Sequence, residues 1–381
     1  MLKMAALIWM ALLAQLAGAQ TRDQNWDHCA EGDPALRIAS CSAIIAGGQE
    51  ATETLATAYV SRGLAYSRLG KQDLAIADFD KTIQLQPASA DAIAVAYAAR
   101  GNSYAAKGDY VHATTDLSHS LLAKPNDPDT LNFRGIAYQE QGDYDLAIAD
   151  YTHALKIRPN DPEILNNRAI AYSDKDQYDL AIADLDRAIQ IRPDFSDALN
   201  TRAVQYIQKN QPDPAIRDLD NCIRLSPDYG VAFFHRAQAY DKKEQYARAI
   251  ADYSKSISLD PKDNDSLNGR CWDEAILGQL GQALIDCNSA LAVDPKNAPT
   301  LDSRGFIYLK MGKFDSAIAD YDTALAIDNK LPTSLYGRGQ AKRMKGDPTG
   351  SVDMKAGQTM DPAVAAEFKR WGLDSASSAA R

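Results

Sequence analysis

Nine arginines recur at intervals of 34 residues, with one interval of 38, at Arg62, Arg100, Arg134, Arg168, Arg202, Arg236, Arg270, Arg304 and Arg338. An aspartate follows eight of them by sixteen residues, at Asp78, Asp116, Asp150, Asp184, Asp218, Asp252, Asp286 and Asp320. Guanidinium and carboxylate groups in such a pattern can pair with each other or hold a charged ligand. Because buried charges are normally paired, we favour a structural ion-pair ladder over an arginine-based ligand site. The spacing leaves open whether each pair forms within one repeat or between neighbouring repeats.

Residue types used in catalysis are present, but they lack the spacing that catalysis requires. The histidines have no partners at metal-ligand spacing and stand at His28, His112, His119, His153 and His235. The sequence contains no phosphate-cradling glycine loop, no serine elbow and no helical pair of metal-binding histidines. Its cysteines lack Cys-x-x-Cys spacing, so metal binding is the weaker interpretation of their role. The sequence therefore predicts a protein without catalytic activity, cofactor or metal.

The arginine period also organises the residues around each arginine. The next residue is small, as in Gly63, Gly101, Gly135, Ala169, Ala203, Ala237, Cys271, Gly305 and Gly339. Four residues after the arginine, an aromatic side chain recurs at Tyr66, Tyr104, Tyr138, Tyr172, Tyr206, Tyr240 and Tyr308. Prolines recur where a second helix would end, at Pro87, Pro125, Pro159, Pro193, Pro227, Pro261 and Pro295. A fixed period of this length predicts stacked helical hairpins, and the longer interval predicts a longer first helix or loop.

This pattern resembles the tetratricopeptide repeat. One unit carries it as Asn132 to Tyr138, Gly142 to Tyr144, Ala147 to Tyr151, and Pro159. The resemblance covers about residues 56–361. It implies an all-α fold, an α-solenoid in which antiparallel helix pairs form a right-handed superhelix. It also implies that the first helices line an inner wall, which in this family typically holds a peptide or a partner protein.

The ends of the chain depart from the repeat. Residues 1–19 predict a secretory signal, because a lysine precedes an apolar run that ends in small residues. The apolar run is shorter than the roughly 20 residues that span a bilayer, so no membrane insertion is expected after cleavage. Residues 20–55 predict a half repeat that caps an array of about nine repeats over residues 56–361. Residues 362–381 predict a capping helix followed by a disordered tail. We therefore expect a periplasmic or secreted protein of an exported bacterial type.

Two cysteine pairs agree with export. Cys271 takes the small-residue position of a first helix, and Cys287 takes an apolar position in the second helix of the same hairpin. Cys29 and Cys41 stand in a similar relation near the start of the mature chain. Both pairs are therefore predicted to form disulfides. Cys222, on the apolar face of a second helix, is predicted to be a buried free thiol.

Two further polar series lie on the first helices. Two residues before the arginine, four repeats carry asparagine, at Asn132, Asn166, Asn200 and Asn268. Five residues before it, the same repeats carry acids, at Asp129, Glu163, Asp197 and Asp265. A separation of three residues places each acid and its asparagine on one side of the helix, which the family resemblance assigns to the inner wall. Asparagines there could hold the main chain of an extended peptide, and the acids would favour lysine or arginine in it. Alternatively, these residues cap the helices and complement their dipoles.

The net charge of −10 disfavours nucleic acid and anionic membranes as partners. A protein or peptide partner, with a preference for a basic one, suits an acidic repeat array better. We therefore predict a non-catalytic scaffold that binds a polypeptide partner in its groove. A structural spacer of a cell-envelope complex and a non-catalytic subunit of an envelope enzyme are the alternatives.

Overall fold

The computed structural model describes residues 22–48 and 50–373. The predicted signal at 1–19 and the predicted disordered tail at 375–381 lie outside the described residues. The described residues form antiparallel helix pairs joined by short turns, without strands, so the fold is the all-α solenoid that the sequence predicts. Within this part of the chain, no helix is both long enough and apolar enough to cross a bilayer.

The helices group into two compact units, and unit one ends at Ile191. Its helices are α1 (Arg22–Glu31), α2 (Pro34–Gly47), α3 (Thr52–Arg68), α4 (Gln72–Leu85), α5 (Ala90–Ala105), α6 (Tyr110–Ala123), α7 (Pro128–Glu140), α8 (Tyr144–Ile157), α9 (Pro162–Ser173) and α10 (Tyr178–Ile191). From α3 to α19, odd-numbered helices are the first helices of the repeats. The longer sequence interval produces a longer first helix, because α5 has 16 residues where α7 has 13.

Unit two begins at Arg192. Its helices are α11 (Ser196–Gln208), α12 (Pro212–Leu225), α13 (Gly230–Lys242), α14 (Tyr246–Leu259), α15 (Asn264–Ile276), α16 (Leu280–Val293), α17 (Ala298–Lys310), α18 (Phe314–Ile327), α19 (Pro332–Met344), α20 (Gly350–Met360) and α21 (Val364–Arg370). Helix α21 falls in the segment predicted to cap the array.

Local signals in the sequence set the helix boundaries. Second helices end two residues before the recurring prolines, as α8 does at Ile157 before Pro159. The turn between the two helices of each repeat from α3 to α20 has one left-handed residue, which is glycine at Gly142 with φ of 82°. Glu244 adopts the same conformation, with φ of 56°, at the equivalent position of a later repeat. The hairpin geometry is therefore kept even where glycine is absent.

The small residue after each arginine makes room for a large side chain from the second helix. A Cβ atom on Gly135 would lie 2.6 Å from Cε1 of Tyr151, which is fully buried. In the next repeat, Ala169 occupies this place and the facing residue is the smaller Leu185. The volumes of the two positions therefore compensate, as close packing requires.

The arginine ladder, meaning the nine arginines and their aspartates, pairs within each repeat. Arg134 places Nε and Nη2 at 2.7 and 2.8 Å from the two carboxylate oxygens of Asp150. Its remaining nitrogen, Nη1, donates to Ser118 in the second helix of the preceding hairpin, at 3.0 Å. The ninth arginine, Arg338, pairs in the same way with Asp353. Each of these arginines therefore connects its first helix to its own second helix, and Arg134 also ties consecutive hairpins together.

The four paired cysteines form two disulfides. The Cα atoms of Cys29 and Cys41 are 4.9 Å apart, and those of Cys271 and Cys287 are 5.5 Å apart. The first bridge joins α1 to α2, and the second joins α15 to α16. Cys222 is a buried free thiol, and burial raises its pKa to about 11. A thiol in this state is a poor nucleophile at neutral pH.

Candidate functional site

The first helices of each unit share one face, formed by residues two before, one before, two after and five or six after the arginine. Side chains at these offsets lie on one side of an α-helix. We call this surface the first-helix face. In unit one it includes Asn132, Ile136, Gln139, Asn166, Asn167 and Ile170. In unit two it includes Asn200, His235, Asn268, Trp272, Phe306, Lys310, Tyr336 and Gln340.

In unit one, one predicted asparagine, Asn132, pairs with an asparagine outside the predicted series. Asn167 donates from Nδ2 to Oδ1 of Asn132 at 3.0 Å, which connects α9 to α7. Asn166 is 7% exposed, and its Oδ1 has no hydrogen-bond partner among the described residues. Gln139 donates to Asp174 at 2.9 Å, again from one first helix toward the next. The polar side chains of this face therefore bridge neighbouring helices and leave a buried acceptor at Asn166.

The four acids lie in the first turns of their helices, where a negative charge favours the helix dipole. In α7, α9 and α15, the residue that caps the helix is the aspartate two positions before the acid, whose carboxylate accepts hydrogen bonds from backbone N–H groups of the first turn. Asp129 accepts from Arg158 at 2.5 Å, and Asp197 accepts a hydrogen bond from Tyr229. Glu163 and Asp265 are exposed at the ends of their helices. The acids therefore complement helix dipoles, and Asp129 and Asp197 also pair locally, while the capping bonds of α7, α9 and α15 belong to other residues.

In unit two, the asparagine series has a different partner. Oδ1 of Asn200 lies 2.8 Å from Nδ1 of His235, so Nδ1 carries the proton and donates. Burial lowers the pKa of His235 to about 4, which keeps the imidazole neutral at physiological pH. Asn268, on α15, has a buried Oδ1 that no other described residue hydrogen-bonds.

An acidic cleft of about 500 Å³ opens beside His235, between α13, α14 and the start of α15. Phe234 and Leu259 form its apolar part, and Gly230 contributes no side chain. The carboxylates lining the cleft are those of Asp228, Asp260, Asp263 and Asp265. Their summed charge suits a cationic side chain better than an anionic one.

The C-terminal segment Val364–Leu373 lies on the first-helix face of unit two. The ring of Phe368 contacts those of Phe306 and Tyr336, with centroids 5.8 and 4.9 Å apart. The indole of Trp371 meets that of Trp272 edge-on at a centroid distance of 4.9 Å. Val364 and Phe368 are at most 1% exposed and Trp371 is 9% exposed, so the segment buries its largest apolar side chains against this face. It thus spans first helices α15, α17 and α19.

Two polar side chains hold the main chain of this segment. Nζ of Lys310 donates to the carbonyl oxygen of Trp371 at 3.0 Å, and also to that of Ala275 at the end of α15 at 2.7 Å. Nε2 of Gln340 donates to the carbonyl oxygen of Leu373 at 3.3 Å. Burial lowers the pKa of Lys310, although its carbonyl partners satisfy the ammonium group. Contacts to carbonyl oxygens do not depend on side-chain identity.

A buried carboxyl pair lies between α13 and α15. Tyr253 donates to Asp241 at 2.6 Å, and Asp273 is fully buried beside Asp241. Burial and mutual repulsion raise the pKa of Asp273, so it is protonated at neutral pH and donates to Asp241. Glu274 is also buried, which raises its pKa to about 7. Asp273 has no exposed surface, so its carboxyl group is out of reach of a substrate.

Sequence reasoning missed four of these residues. Lys310 and Gln340 stand six and two residues after their arginines, at offsets that the repeat pattern leaves variable. Asp273 and Glu274 could have been recognised from the sequence as departures from the repeat. Glu274 replaces the recurring tyrosine, and Asp273 stands where most repeats have a small or apolar residue. Among the residues that the structure describes, no group of three or more histidine, cysteine or acidic side chains could hold a metal ion.

The chain is similar to proteins built from tetratricopeptide repeats. Residues 56–89, 162–195 and 230–263 match the family described as tetratricopeptide repeat. Residues 135–176 and 305–346 match the related TPR repeat description. A comparison with curated protein sequences finds no match.

Solved structures share the fold. A tetratricopeptide repeat protein from Parabacteroides merdae is 23% identical with a TM-score of 0.51, and the match covers 61% of this chain and 92% of that one. The C-terminal part of a TPR repeat-containing protein from Cytophaga hutchinsonii is 18% identical with a TM-score of 0.51, covering 65% and 98%. The Cut9–Hcn1 hetero-tetramer of the APC/C gives 14% identity and a TM-score of 0.57, covering 84% and 77%. At these identities the likeness concerns the fold alone.

Proposed function

Because this chain is a tetratricopeptide repeat protein, we propose that it is a non-catalytic scaffold whose first-helix face binds a polypeptide partner. The repeats supply rigid helices at regular spacing, and this architecture is used for extended binding surfaces. The proposal concerns shape and surface chemistry, so it requires no reactive group.

One observation carries the proposal: the first-helix face of unit two already holds a stretch of polypeptide. Lys310 and Gln340 bind carbonyl oxygens of the C-terminal segment, and Trp272 and Phe306 bind its aromatic side chains. Donors for the main chain and an apolar surface for side chains are what peptide recognition requires. The same face therefore has the chemistry to hold a polypeptide from another molecule.

The partner that we propose is neutral or basic. The chain has a net charge of −10, and the cleft beside His235 is lined by four aspartates. In unit one, Asn132 and Asn166 offer amide groups on the first-helix face of that unit. Electrostatic complementarity would mainly accelerate association and select partners by charge, so binding should weaken as salt increases.

Affinity capture from native envelope extract tests the proposal. Asn132→Ala/Asn166→Ala removes the amides from the face of unit one. Leu146→Ala/Leu180→Ala is the matched control, since both leucines are about half exposed on second helices of the same unit. We expect the asparagine variant to lose a protein that the wild type and the control retain. If the asparagine variant still captures this protein and the leucine variant does not, binding at the first-helix face is refuted.

A structural spacer is the second candidate, and the same leucines favour it. Leu74, Leu146 and Leu180 occupy one offset on three second helices of unit one and are 48%, 49% and 50% exposed. A recurring exposed apolar side chain can mark a contact surface. The spacer function predicts that the leucine variant loses its neighbours. For the remaining alternative, an enzyme subunit, turnover would be found only in the co-purified complex.

We also propose that the protein works in the periplasm or outside the cell. Two disulfides between cysteines of neighbouring helices suit an oxidising compartment. Cell fractionation together with N-terminal sequencing tests this location. A mature chain that begins at Gln20 in the exported fraction is the expected result, and an intact Met1 in the cytoplasm would refute it.

A further inference from the structure

We propose that the C-terminal segment Val364–Leu373 is an internal occupant of a partner site, and that a partner helix of matching chemistry displaces it. The site is the part of the first-helix face on α15, α17 and α19. The matching partner carries two aromatic side chains one helical turn apart with basic residues between them. This inference rests on the proposed function, because it assumes that the first-helix face binds polypeptides.

The segment is attached to the array as a ligand would be. Helix α21 has only 7 residues, which is too short for an isolated helix to persist, so its order depends on docking. A terminal cap needs to cover only the last hairpin. Here Trp371 reaches back to Trp272 on α15, and Arg370 reaches Glu244 at 2.7 Å, in the turn after α13. The contacts thus follow the first-helix face across several repeats.

The contacts also define what the site recognises. Phe368 and Trp371, three residues apart, insert among Trp272, Phe306 and Tyr336. The basic side chains of Lys369 and Arg370 stand between them in the sequence, and Arg370 meets an acid. Lys310 and Gln340 bind only carbonyl oxygens, so they accept any sequence. The partner is therefore selected by its two rings and its positive charge.

Tethering gives the internal segment an advantage over a partner. A segment joined by a short connection acts at an effective concentration on the order of millimolar. A free helix with the same contacts would therefore bind the intact protein much more weakly than it binds an uncovered site. The tether sets a threshold that excludes weak partners of the same type.

A fluorescent peptide with the sequence of residues 362–373 is the probe. Its affinity is measured on the full chain, on Phe368→Ala/Trp371→Ala, and on the control Val352→Ala/Met360→Ala, whose side chains are exposed in α20. We expect the aromatic variant to bind the peptide at least ten-fold more tightly than the wild type or the control. Adding Lys310→Met should weaken that binding several-fold, and a peptide lacking both aromatic side chains should not bind.

The inference would be overturned if Phe368→Ala/Trp371→Ala keeps its helical structure and the peptide binds it no more tightly than it binds the wild type, or binds neither protein. A wild-type dimer in sedimentation that the aromatic variant loses would also overturn it, because a second copy would then be the occupant. If the variant unfolds, hydrogen exchange on the wild type decides. Amides of Trp371 and Leu373 should exchange at least ten-fold faster than those of α20, and equal rates would make the segment a fixed part of the last repeat. The peptide experiment can fail while the capture experiment still shows a partner that depends on Asn132 and Asn166 in unit one. That combination would leave the proposed function intact.

Discussion

Replacing Asp150 by alanine tests whether the arginine ladder is structural. In the native protein, Arg134 binds both carboxylate oxygens of Asp150, and their side chains are only 21% and 10% exposed. The substitution leaves a largely buried guanidinium with Ser118 as its remaining partner in this network. Breaking a buried pair from one side costs about 3–5 kcal/mol, because the other charge is left uncompensated. We expect the lower end, about 3 kcal/mol, since Arg134 keeps one hydrogen bond and some contact with water.

Asp145→Ala is the matched control on the same helix. Asp145 pairs with Lys175, but its side chain is 84% exposed, and exposed pairs contribute about 0–1 kcal/mol. The double variant Arg134→Met/Asp150→Leu should recover most of the loss, because apolar side chains of similar volume often replace a buried pair without penalty. Urea unfolding followed by far-UV circular dichroism gives the free energies from the midpoints and slopes.

A cost for Asp150→Ala below about 1 kcal/mol, equal to that of the control, would refute the reasoning. The guanidinium of Arg134 would then be stable without its carboxylate, and it would be available to a ligand. Repeat arrays can unfold in parts, so the comparison applies to the transition that includes unit one.

Three further outcomes are expected. Gly135→Ala should destabilise by about 1–3 kcal/mol through collision with Tyr151, and adding Tyr151→Leu should rescue it, since the next repeat carries that alanine–leucine pair; thermal melts of both variants check this. Burial raises the pKa of Asp302 to about 6, so its contribution to the free energy of unfolding is complete below pH about 4 and is lost as the pH rises through 6. Asp302→Asn should remove about 3 kcal/mol from the change in the free energy of unfolding over this pH range. An unchanged pH dependence in the variant would assign it to another group. Denatured, unreduced protein should give one thiol, that of Cys222, which should react slowly in the native state; five thiols would exclude both bridges.

The fold could be predicted in detail because its signals are local and repeated. Each proline and each glycine turn acts within a few residues, so the ends of helices such as α8 follow from the sequence around Pro159 and Gly142. The cysteines of both bridges could be paired because each couple occupies facing positions of one hairpin. The asparagine and acid series were placed correctly on first helices, but their partners were not foreseeable. Asn132 meets an asparagine and Asn200 meets a histidine, each 35 residues further along.

The sequence by itself determined the period, the helix pairs and the residues of eight of the nine arginine–aspartate pairs, because each follows from residue types at fixed separations along the chain. The tertiary structure decided which groups meet across repeats. It joined Arg134 to the preceding hairpin, buried Asp273 beside Asp241, and laid Trp371 on the first-helix face. These contacts depend on how neighbouring hairpins pack. That packing brings together side chains far apart in the sequence, which a pattern read one repeat at a time does not contain.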